Sequence, residues 1–332
     1  MRSVSTTAAH RLCWKTLFAA AISAACLLAC PSAHAQTVSN FVTLDDPLGV
    51  GGTFNGTVAN GISDGNIVGY YVDNSGNEHG FLYNGSTYTT LDDPNADAFT
   101  QAKGISVSNI VGYYYDNSGN AHGFLYNGTT YTTLDDPLGV DGTFAKGTSG
   151  TNIVGYYFDN SGNPHGFLYN GTTYTTLDDP LGTQGTFTTG VSGGNIVGYY
   201  NDNLSLGPHG FIYDGSIYTT LDDPNAGPNG TEANGISGGN IVGVYVDNSD
   251  NEHGFLYTGT TYITVDDPLA VGVTQVTGID GNNIVGYYVD NSNNVHGFTA
   301  TIVPEPAIWP LLASALALSF ATLRRRSTRA LA

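Results

Sequence analysis

Two short strings recur along this chain at a nearly constant spacing. Asn-Ile-Val-Gly occurs six times, beginning at Asn66, Asn109, Asn152, Asn195, Asn240 and Asn283. His-Gly-Phe follows each copy, beginning at His79, His122, His165, His209, His253 and His296, so that successive histidines are 43 or 44 residues apart. Self-similarity at such a period is typical of repeat architectures, in which each unit is one supersecondary element. The chain is therefore predicted to be an array of six similar units.

One unit contains four predicted strands. Strand a is short and centres on Gly61-Ile62-Ser63, strand b runs from Asn66 to Asp73, strand c from His79 to Tyr83, and strand d from Thr87 to Asp92. Strand b is rich in β-branched and aromatic residues. Asn84-Gly85 predicts a two-residue type I′ hairpin between c and d, because that turn needs positive φ at both central residues. Four antiparallel strands in about 40–45 residues is the size of one propeller blade.

The two ends of the repeat body, residues 36–302, are complementary. The body opens with a lone d strand at Phe41–Asp46 and closes with a c strand at His296–Thr301 that has no d partner. Pairing them would close the ring and remove two sheet edges that are otherwise prone to aggregation. The predicted fold is all-β, a six-bladed β-propeller of four-stranded blades closed by an N-terminal strand. An open β-solenoid is the alternative, but it does not need this overhang.

Residues 1–35 have the pattern of a secretory signal peptide with a helical apolar segment. A basic region precedes an apolar run from Leu17 to Cys30, and an Ala-His-Ala string ending at Ala35 predicts cleavage before Gln36 by signal peptidase. An uncleaved anchor helix and lipoprotein processing at Cys30 are alternatives. All three cysteines lie in this segment, so the body can form no disulfide.

Residues 303–332 combine three features in a fixed order. Pro304, Glu305 and Pro306 precede an apolar segment, 307–323, which is followed by Arg324, Arg325 and Arg326. The segment is at the short limit for a transmembrane helix, and the arginines would lie on the cytoplasmic side. An ordinary single-pass anchor is one interpretation. The order also resembles the PEP-CTERM sorting signal of Gram-negative bacteria, which implies recognition by an exosortase, loss of the helix, and delivery to the cell surface or an exopolysaccharide matrix.

The repeat itself resembles the extracellular HAF repeat family. The resemblance rests on the strings Gly-Ile-Ser, Ile-Val-Gly-Tyr, His-Gly-Phe-Leu-Tyr and Leu-Asp-Asp-Pro, and it covers nearly all of residues 41–298. It implies an extracellular repeat protein and no particular activity.

Charge is distributed very unevenly along the chain. The repeat body holds 27 of the 28 Asp and Glu residues, while Lys103 and Lys146 are its only Lys or Arg residues. Such a surface repels nucleic acid and anionic lipid, and it favours cations or basic partners. The two lysines, at matching positions of adjacent units, and the altered loop 201–206 are the features that the repeat does not explain.

The predicted topology places the acidic residues on one face. In an antiparallel blade the b–c and d–a loops emerge together, which would gather the six histidines with eighteen aspartates. Those at the ends of strands b are Asp73, Asp116, Asp159, Asp202, Asp247 and Asp290. Those at the ends of strands d are the pairs 45–46, 92–93, 135–136, 178–179, 222–223 and 266–267.

Two interpretations of these aspartates remain open at this point. Each histidine can tie strand c to its neighbours by donating a ring N–H to an aspartate such as Asp73 or Asp92. Alternatively, the oxygen-bearing residues form a calcium site, since hard cations prefer oxygen ligands. The candidate calcium ligands are Asp73, Ser75, Asn77, Asp92, Asp93 and their repeat equivalents.

Sixfold repetition argues against catalysis. An active site needs groups in distinct roles, whereas near-identical units supply the same groups six times. No catalytic residue and no cofactor is therefore predicted. The leading hypothesis is an exported, non-catalytic structural or interaction module, whose partners are extracellular polysaccharide or a cationic molecule. A calcium-stabilised carbohydrate-binding module and a polysaccharide-acting enzyme that uses the paired aspartates are the alternatives.

Overall fold

The structure is a computed structural model that describes residues 36–51, 56–204 and 207–304. These residues form six antiparallel four-stranded sheets, and the predicted six-bladed β-propeller is confirmed. Ala35 and the rest of the signal segment lie outside the described residues, as do Glu305, Pro306, the segment 307–323 and Arg324–Arg326. None of the helices that a membrane crossing would require is found in the described part of the chain.

The four strands of each blade keep the order a, b, c, d. The a strands are β2 (Thr57–Ser63), β6 (Thr100–Ser106), β10 (Thr143–Ser149), β14 (Thr186–Ser192), β18 (Thr231–Ser237) and β22 (Thr274–Asp280). The b strands are β3 (Asn66–Val72), β7 (Asn109–Tyr115), β11 (Asn152–Phe158), β15 (Asn195–Tyr200), β19 (Asn240–Val246) and β23 (Asn283–Val289). The c strands are β4 (Glu78–Tyr83), β8 (Ala121–Tyr126), β12 (Pro164–Tyr169), β16 (His209–Tyr213), β20 (Glu252–Tyr257) and β24 (Val295–Pro304). The d strands are β5 (Tyr88–Leu91), β9 (Tyr131–Leu134), β13 (Tyr174–Leu177), β17 (Tyr218–Leu221), β21 (Tyr262–Val265) and β1 (Gln36–Leu44).

The sixth sheet differs from the others in how the chain builds it. Five sheets consist of four consecutive strands, whereas the sixth has the order β1-β24-β23-β22. The ring of Phe41 in β1 lies 5.5 Å from that of Phe298 in β24, measured between centroids. Nδ1 of His296 donates to the carboxylate of Asp45 at 3.0 Å.

The a strands form the innermost layer of the propeller. Each one contacts the a strands of both neighbouring blades, including β22 against β2. A glycine near the middle of every a strand permits this approach. A Cβ at Gly104 would lie 2.7 Å from the carbonyl oxygen of Lys146, and a Cβ at Gly278 would lie 2.7 Å from that of Asn60. The six a strands therefore surround the propeller axis as a closed circle.

The two repeated strings build the core between blades. The phenylalanine of each His-Gly-Phe is fully buried, at 0% exposure. The glycine of each Asn-Ile-Val-Gly lies against it, since a Cβ at Gly69 would be 2.8 Å from the ring of Phe81. Val68 and Leu91 of the first blade pack with Phe124 of the second, so each blade completes the core of the next. Burial of such apolar side chains is the main stabilising term of the fold.

Two local predictions were wrong. Asn84-Gly85 is not a type I′ turn: only Gly85 has positive φ, at 92°, and the loop has four residues. Oδ1 of Asn84 accepts the backbone N–H groups of Ser86 and Thr87, at 3.0 and 2.9 Å, and holds the turn without positive φ at the asparagine. The last strand, β24, runs from Val295 to Pro304 and is longer than the predicted strand His296–Thr301.

Candidate functional site

The b–c loops hold their aspartates in tight turns. In the first blade, Oδ1 of Asp73 accepts the backbone N–H of Ser75 at 2.7 Å and that of Asn77 at 2.9 Å. The backbone N–H of Asn77 is the largest of several hydrogen bonds that favour the ionised carboxylate and lower the pKa of Asp73. Equivalent hydrogen bonds lower the pKa of four other aspartates to about 2, namely Asp116, Asp159, Asp247 and Asp290.

The histidine in each c strand lies between two aspartates. Nδ1–H of His79 donates to Oδ2 of Asp92 at 2.9 Å, and Nε2 lies 3.4 Å from Oδ2 of Asp73. The imidazole also stacks on Tyr71, with 5.2 Å between ring centroids. The hydrogen bonds that the sequence suggested between histidine and aspartate are therefore present.

This arrangement recurs in every blade and is called the His–Asp rim. It comprises the six repeated histidines, the six aspartates that follow strands b, and Asp45, Asp92, Asp135, Asp178, Asp222 and Asp266. The contact between the histidine and the b–c aspartate is 3.4 or 3.5 Å in five blades and 4.0 Å between His209 and Asp202, where the loop is altered.

The rim displays carboxylates that are held in place but still face solvent. The side chain of Asp92 is 43% exposed and that of Asp45 is 50% exposed. Burial alone lowers the pKa of His79, but the hydrogen bond and the charge of Asp92 outweigh it, so that the net shift of this pKa is upward. Each rim cluster therefore combines an imidazole with two carboxylates, one of which is about half exposed to solvent.

The second aspartate of each d-strand pair does not belong to this surface. Asp93 is 3% exposed, its N–H donates to Oγ1 of Thr100, and its Oδ1 accepts the N–H of Asn95 at 2.9 Å. Burial raises the pKa of Asp93 and of its equivalents Asp46, Asp136, Asp179, Asp223 and Asp267. The sequence predicted that these six aspartates lie at the same end of the blades as the rim, and the structure adds that they are buried and cap the d–a loops from inside.

The candidate calcium ligands do not converge on one point. Oxygen atoms of Asp73 face the N–H groups of Ser75 and Asn77, Asp92 is bonded to a histidine, and Asp93 is buried. A calcium ion needs six to eight oxygen ligands. Within residues 36–51, 56–204 and 207–304, no group of three or more His, Cys, Asp or Glu side chains could hold a metal ion. The geometry favours the hydrogen-bonded interpretation of these aspartates over a calcium site.

A second polar site lies on the propeller axis. The pairing of strands a and b shifts register at one residue in every blade, which marks a β-bulge. Bulges re-aim side chains, and here the bulged residues line a central cavity of about 240 Å³. These residues are called the inner belt: Asn60, Lys103, Lys146, Thr189, Asn234 and Thr277.

Four inner-belt side chains donate hydrogen bonds to the next blade. Nδ2 of Asn60 donates to the carbonyl oxygen of Ala102 at 2.8 Å, and Thr189, Asn234 and Thr277 make the corresponding bonds. The bond from Thr277 reaches Ala59 of the first blade. Lys103 and Lys146 instead lie over tyrosine rings. Nζ of Lys103 is 5.1 Å from the ring centroid of Tyr70, and Nζ of Lys146 is 5.1 Å from that of Tyr113.

Sequence reasoning singled out the two lysines but not the rest of this cavity. Glu232, two positions before the bulged Asn234, also lines it, as do tyrosines such as Tyr199 and Tyr287 from strands b. Variation between the units is the sequence signal that could have identified this cavity. The bulged position is Asn, Lys or Thr, whereas the residue that follows it is glycine in all six units.

Comparisons with known proteins bear on the fold. No protein-family model and no curated protein matches the chain. Among solved structures, a mutant Aleuria aurantia lectin in complex with alpha-methyl-L-fucoside matches with a TM-score of 0.50 and 15% identity, covering 75% of this chain and 96% of the lectin. The SapL1 lectin in complex with alpha methyl fucoside has a TM-score of 0.52 and 14% identity, covering 77% of this chain and 98% of its own.

A further Aleuria aurantia lectin structure, described as a six-bladed β-propeller, matches with a TM-score of 0.50 and 14% identity over 75% of this chain and 95% of that one. At these identities the likeness establishes the fold alone. The class that fold and site together define is a six-bladed β-propeller with a repeated His–Asp rim and a non-repeated axial cavity.

Proposed function

We propose that this chain is a non-catalytic carbohydrate-binding β-propeller that works outside the cell. The observation that carries the proposal is the His–Asp rim, which displays the same half-exposed carboxylate in all six blades, from 43% to 50% exposed. A carboxylate accepts hydrogen bonds from sugar hydroxyl groups, and hydrogen bonds to charged groups are the stronger ones. Similar propeller lectins bind fucosides, which supports a neutral sugar as the ligand.

Repetition suits binding to a polymer better than it suits catalysis. Six equivalent clusters on one chain can engage successive residues of a polysaccharide, and linkage raises the effective concentration of each later contact. All six histidines are committed to the same two neighbours, so no cluster offers a general acid set against a differently tuned base. The strongly acidic body also favours neutral glycans over polyanionic ones.

Export and sorting form the second part of the proposal. Cleavage between Ala35 and Gln36 would leave β1 intact, because Gln36 is its first residue. We propose that β1 closes the ring in this exported chain by filling the place of the missing d strand. The PEP-CTERM-like tail would then be recognised by an exosortase and direct the propeller to the cell surface or the extracellular matrix of a Gram-negative bacterium.

Glycan binding tests the first part directly. Chain 36–304 is applied to an array of neutral and acidic polysaccharides, with turnover followed by reducing-end release. The rim variant replaces Asp45, Asp92, Asp135, Asp178, Asp222 and Asp266 with alanine. The control variant replaces Asp64 and Asp214, in turns of the opposite face, and circular dichroism establishes that both are folded. We expect binding of a neutral glycan that only the rim variant loses, without turnover. Equal binding by the rim variant, or release of reducing ends, would refute the proposal.

A further inference from the structure

The central cavity is lined by residues that differ from blade to blade. The repeat body has two Lys or Arg residues in total, and both belong to the inner belt. They occupy adjacent blades, at positions where the other four blades have Asn or Thr. Because the two positions are equivalent in the repeat, both lysines line one axial cavity of about 240 Å³.

The two ammonium groups are desolvated and lack a carboxylate partner. Burial lowers the pKa of Lys146 to about 8 and that of Lys103 well below its usual value. Every ion pair in the described part of the chain joins a histidine to an aspartate, so neither lysine has a carboxylate within salt-bridge distance. Glu232 attracts Lys146 and Glu78 attracts Lys103 only from beyond this distance, so a bound anion would offset the cost of burying the two cations.

The nearby carboxylates explain what kind of anion would fit. Glu78 and Glu252 lie outside the cavity lining, and each accepts a hydrogen bond from a glutamine, Gln101 or Gln275. Glu232 lines the cavity itself. Two lysines and a single carboxyl group therefore line the cavity, which favours a singly charged anion over a more highly charged one.

The remaining lining favours a hydroxylated molecule. Tyr70, Tyr156, Tyr199 and Tyr287 contribute to the cavity wall, together with the amides of Asn60, Asn234 and Gln275. Such groups donate to and accept from hydroxyl groups. The faces of three tyrosine rings, those of Tyr70, Tyr113 and Tyr156, are already occupied by the lysines. A volume of about 240 Å³ is large enough for roughly one sugar residue.

We propose that the central cavity binds one sugar acid, with its carboxylate between Lys103 and Lys146 and its hydroxyl groups toward Glu232 and the tyrosines. The site is distinct from the His–Asp rim in position, in stoichiometry and in the charge of its ligand. The inference does not rest on the proposed function of the rim, so either site can fail its test while the other holds.

Calorimetry with D-glucuronate as the probe tests the inference. The variant combines Lys103→Asn and Lys146→Thr, which place at the inner belt the residues that other blades already carry there, and the folded state is therefore preserved. Asp141→Asn is the control, since Asp141 is exposed and lies outside the cavity lining. Glucose and acetate separate the hydroxyl and carboxylate contributions.

We expect glucuronate to bind the wild-type chain and the Asp141→Asn control once per chain, and the double variant about tenfold or more weakly. Glucose and acetate should each bind the wild type about tenfold or more weakly than glucuronate. The rim variant should bind glucuronate like the wild type. Absence of glucuronate binding to the wild-type chain, or equal binding by the double variant, would overturn the inference. An oligosaccharide ending in glucuronate distinguishes a polymer end from a free sugar acid as the source of the ligand.

Discussion

Replacing Glu232 with glutamine should stabilise the propeller, and by an amount that depends on pH. Glu232 lies in the wall of the central cavity, and burial, followed by the charge of Glu252, raises its pKa from 4.5 to about 7. At about 1.4 kcal/mol per pKa unit, this rise corresponds to roughly 3 kcal/mol of cost for the ionised side chain in the folded state. Glutamine is the natural residue at this position in the second and sixth blades, as Gln101 and Gln275.

The sign follows from linkage between protonation and folding. The folded chain binds the Glu232 proton more tightly than the unfolded chain, so this group favours folding below pH 4.5, and its contribution is lost as the pH rises through about 7. Removing the carboxyl also removes its attraction to Lys146, which reduces the gain. The expected stabilisation by Glu232→Gln is therefore about 1–3 kcal/mol at pH 8 and close to zero at pH 4.

Urea unfolding of chain 36–304 at both pH values measures this difference. Titration of all other groups is common to the wild type and the variant and cancels in the comparison. Asp141→Asn serves as the control because Asp141 is exposed, and its effect should stay within about 0.5 kcal/mol at both pH values. An equal effect of Glu232→Gln at pH 4 and pH 8 would show that the Glu232 carboxyl is solvated and that the described cavity wall is incorrect.

Three further outcomes follow from the same geometry. Adding a chelator should leave the melting temperature unchanged, since the carboxylate of Asp73 is satisfied by N–H donors; a drop would restore the calcium interpretation. Gly104→Ala should destabilise the fold by a few kcal/mol, because the new Cβ would lie 2.7 Å from a backbone oxygen. Gly194→Ala is the control: its Cβ would have no atom within 4 Å, and the stability measured by thermal unfolding should change by less than about 1 kcal/mol. His253→Gln should reduce the free energy of unfolding by about 1 kcal/mol at pH 5 and by less at pH 8. The pKa of His253 is raised in the folded chain, so its protonation stabilises the fold below pH 6.5, and this contribution is lost as the pH rises through the folded pKa. Equal costs at both pH values in urea titrations would contradict the charge argument.

The architecture could be predicted because the same local pattern is written six times. Strand positions followed from Asn-Ile-Val-Gly and His-Gly-Phe, and the structure explains both strings by the packing of the glycine against the buried phenylalanine. The contact between histidine and aspartate was also predictable, because strand order alone places the b–c loop beside the end of strand d. Closure of the a strands as a circle needs coordinates, since it depends on the close approach of Gly278 to Asn60.

The remaining errors have a common physical origin. Composition cannot distinguish an aspartate that faces solvent from one that caps a loop from inside, and Asp92 and Asp93 are neighbours in the loop that follows β5. Nor does composition show that the Asn84 side chain, rather than a left-handed backbone, holds its turn. In both cases the side-chain oxygen is positioned by hydrogen bonds from backbone N–H groups. Because almost every residue has such a group, the sequence does not show which ones will donate.

The central cavity shows where the units of a repeat protein can differ in sequence without disturbing the fold. Substitutions in the rim or the core would have to preserve contacts that every blade needs, such as the bond between His79 and Asp92 or the packing on Phe81. A bulged residue is bound less tightly to its own sheet, because the bulge leaves it outside the regular ladder. Four of the bulged residues donate a hydrogen bond to a backbone carbonyl of the next blade, whereas the two lysines lie over tyrosine rings instead. Variation at the bulged position can therefore change which groups line the axial cavity without changing the fold. In this chain, Lys103 and Lys146 are the two residues that introduce positive charge there.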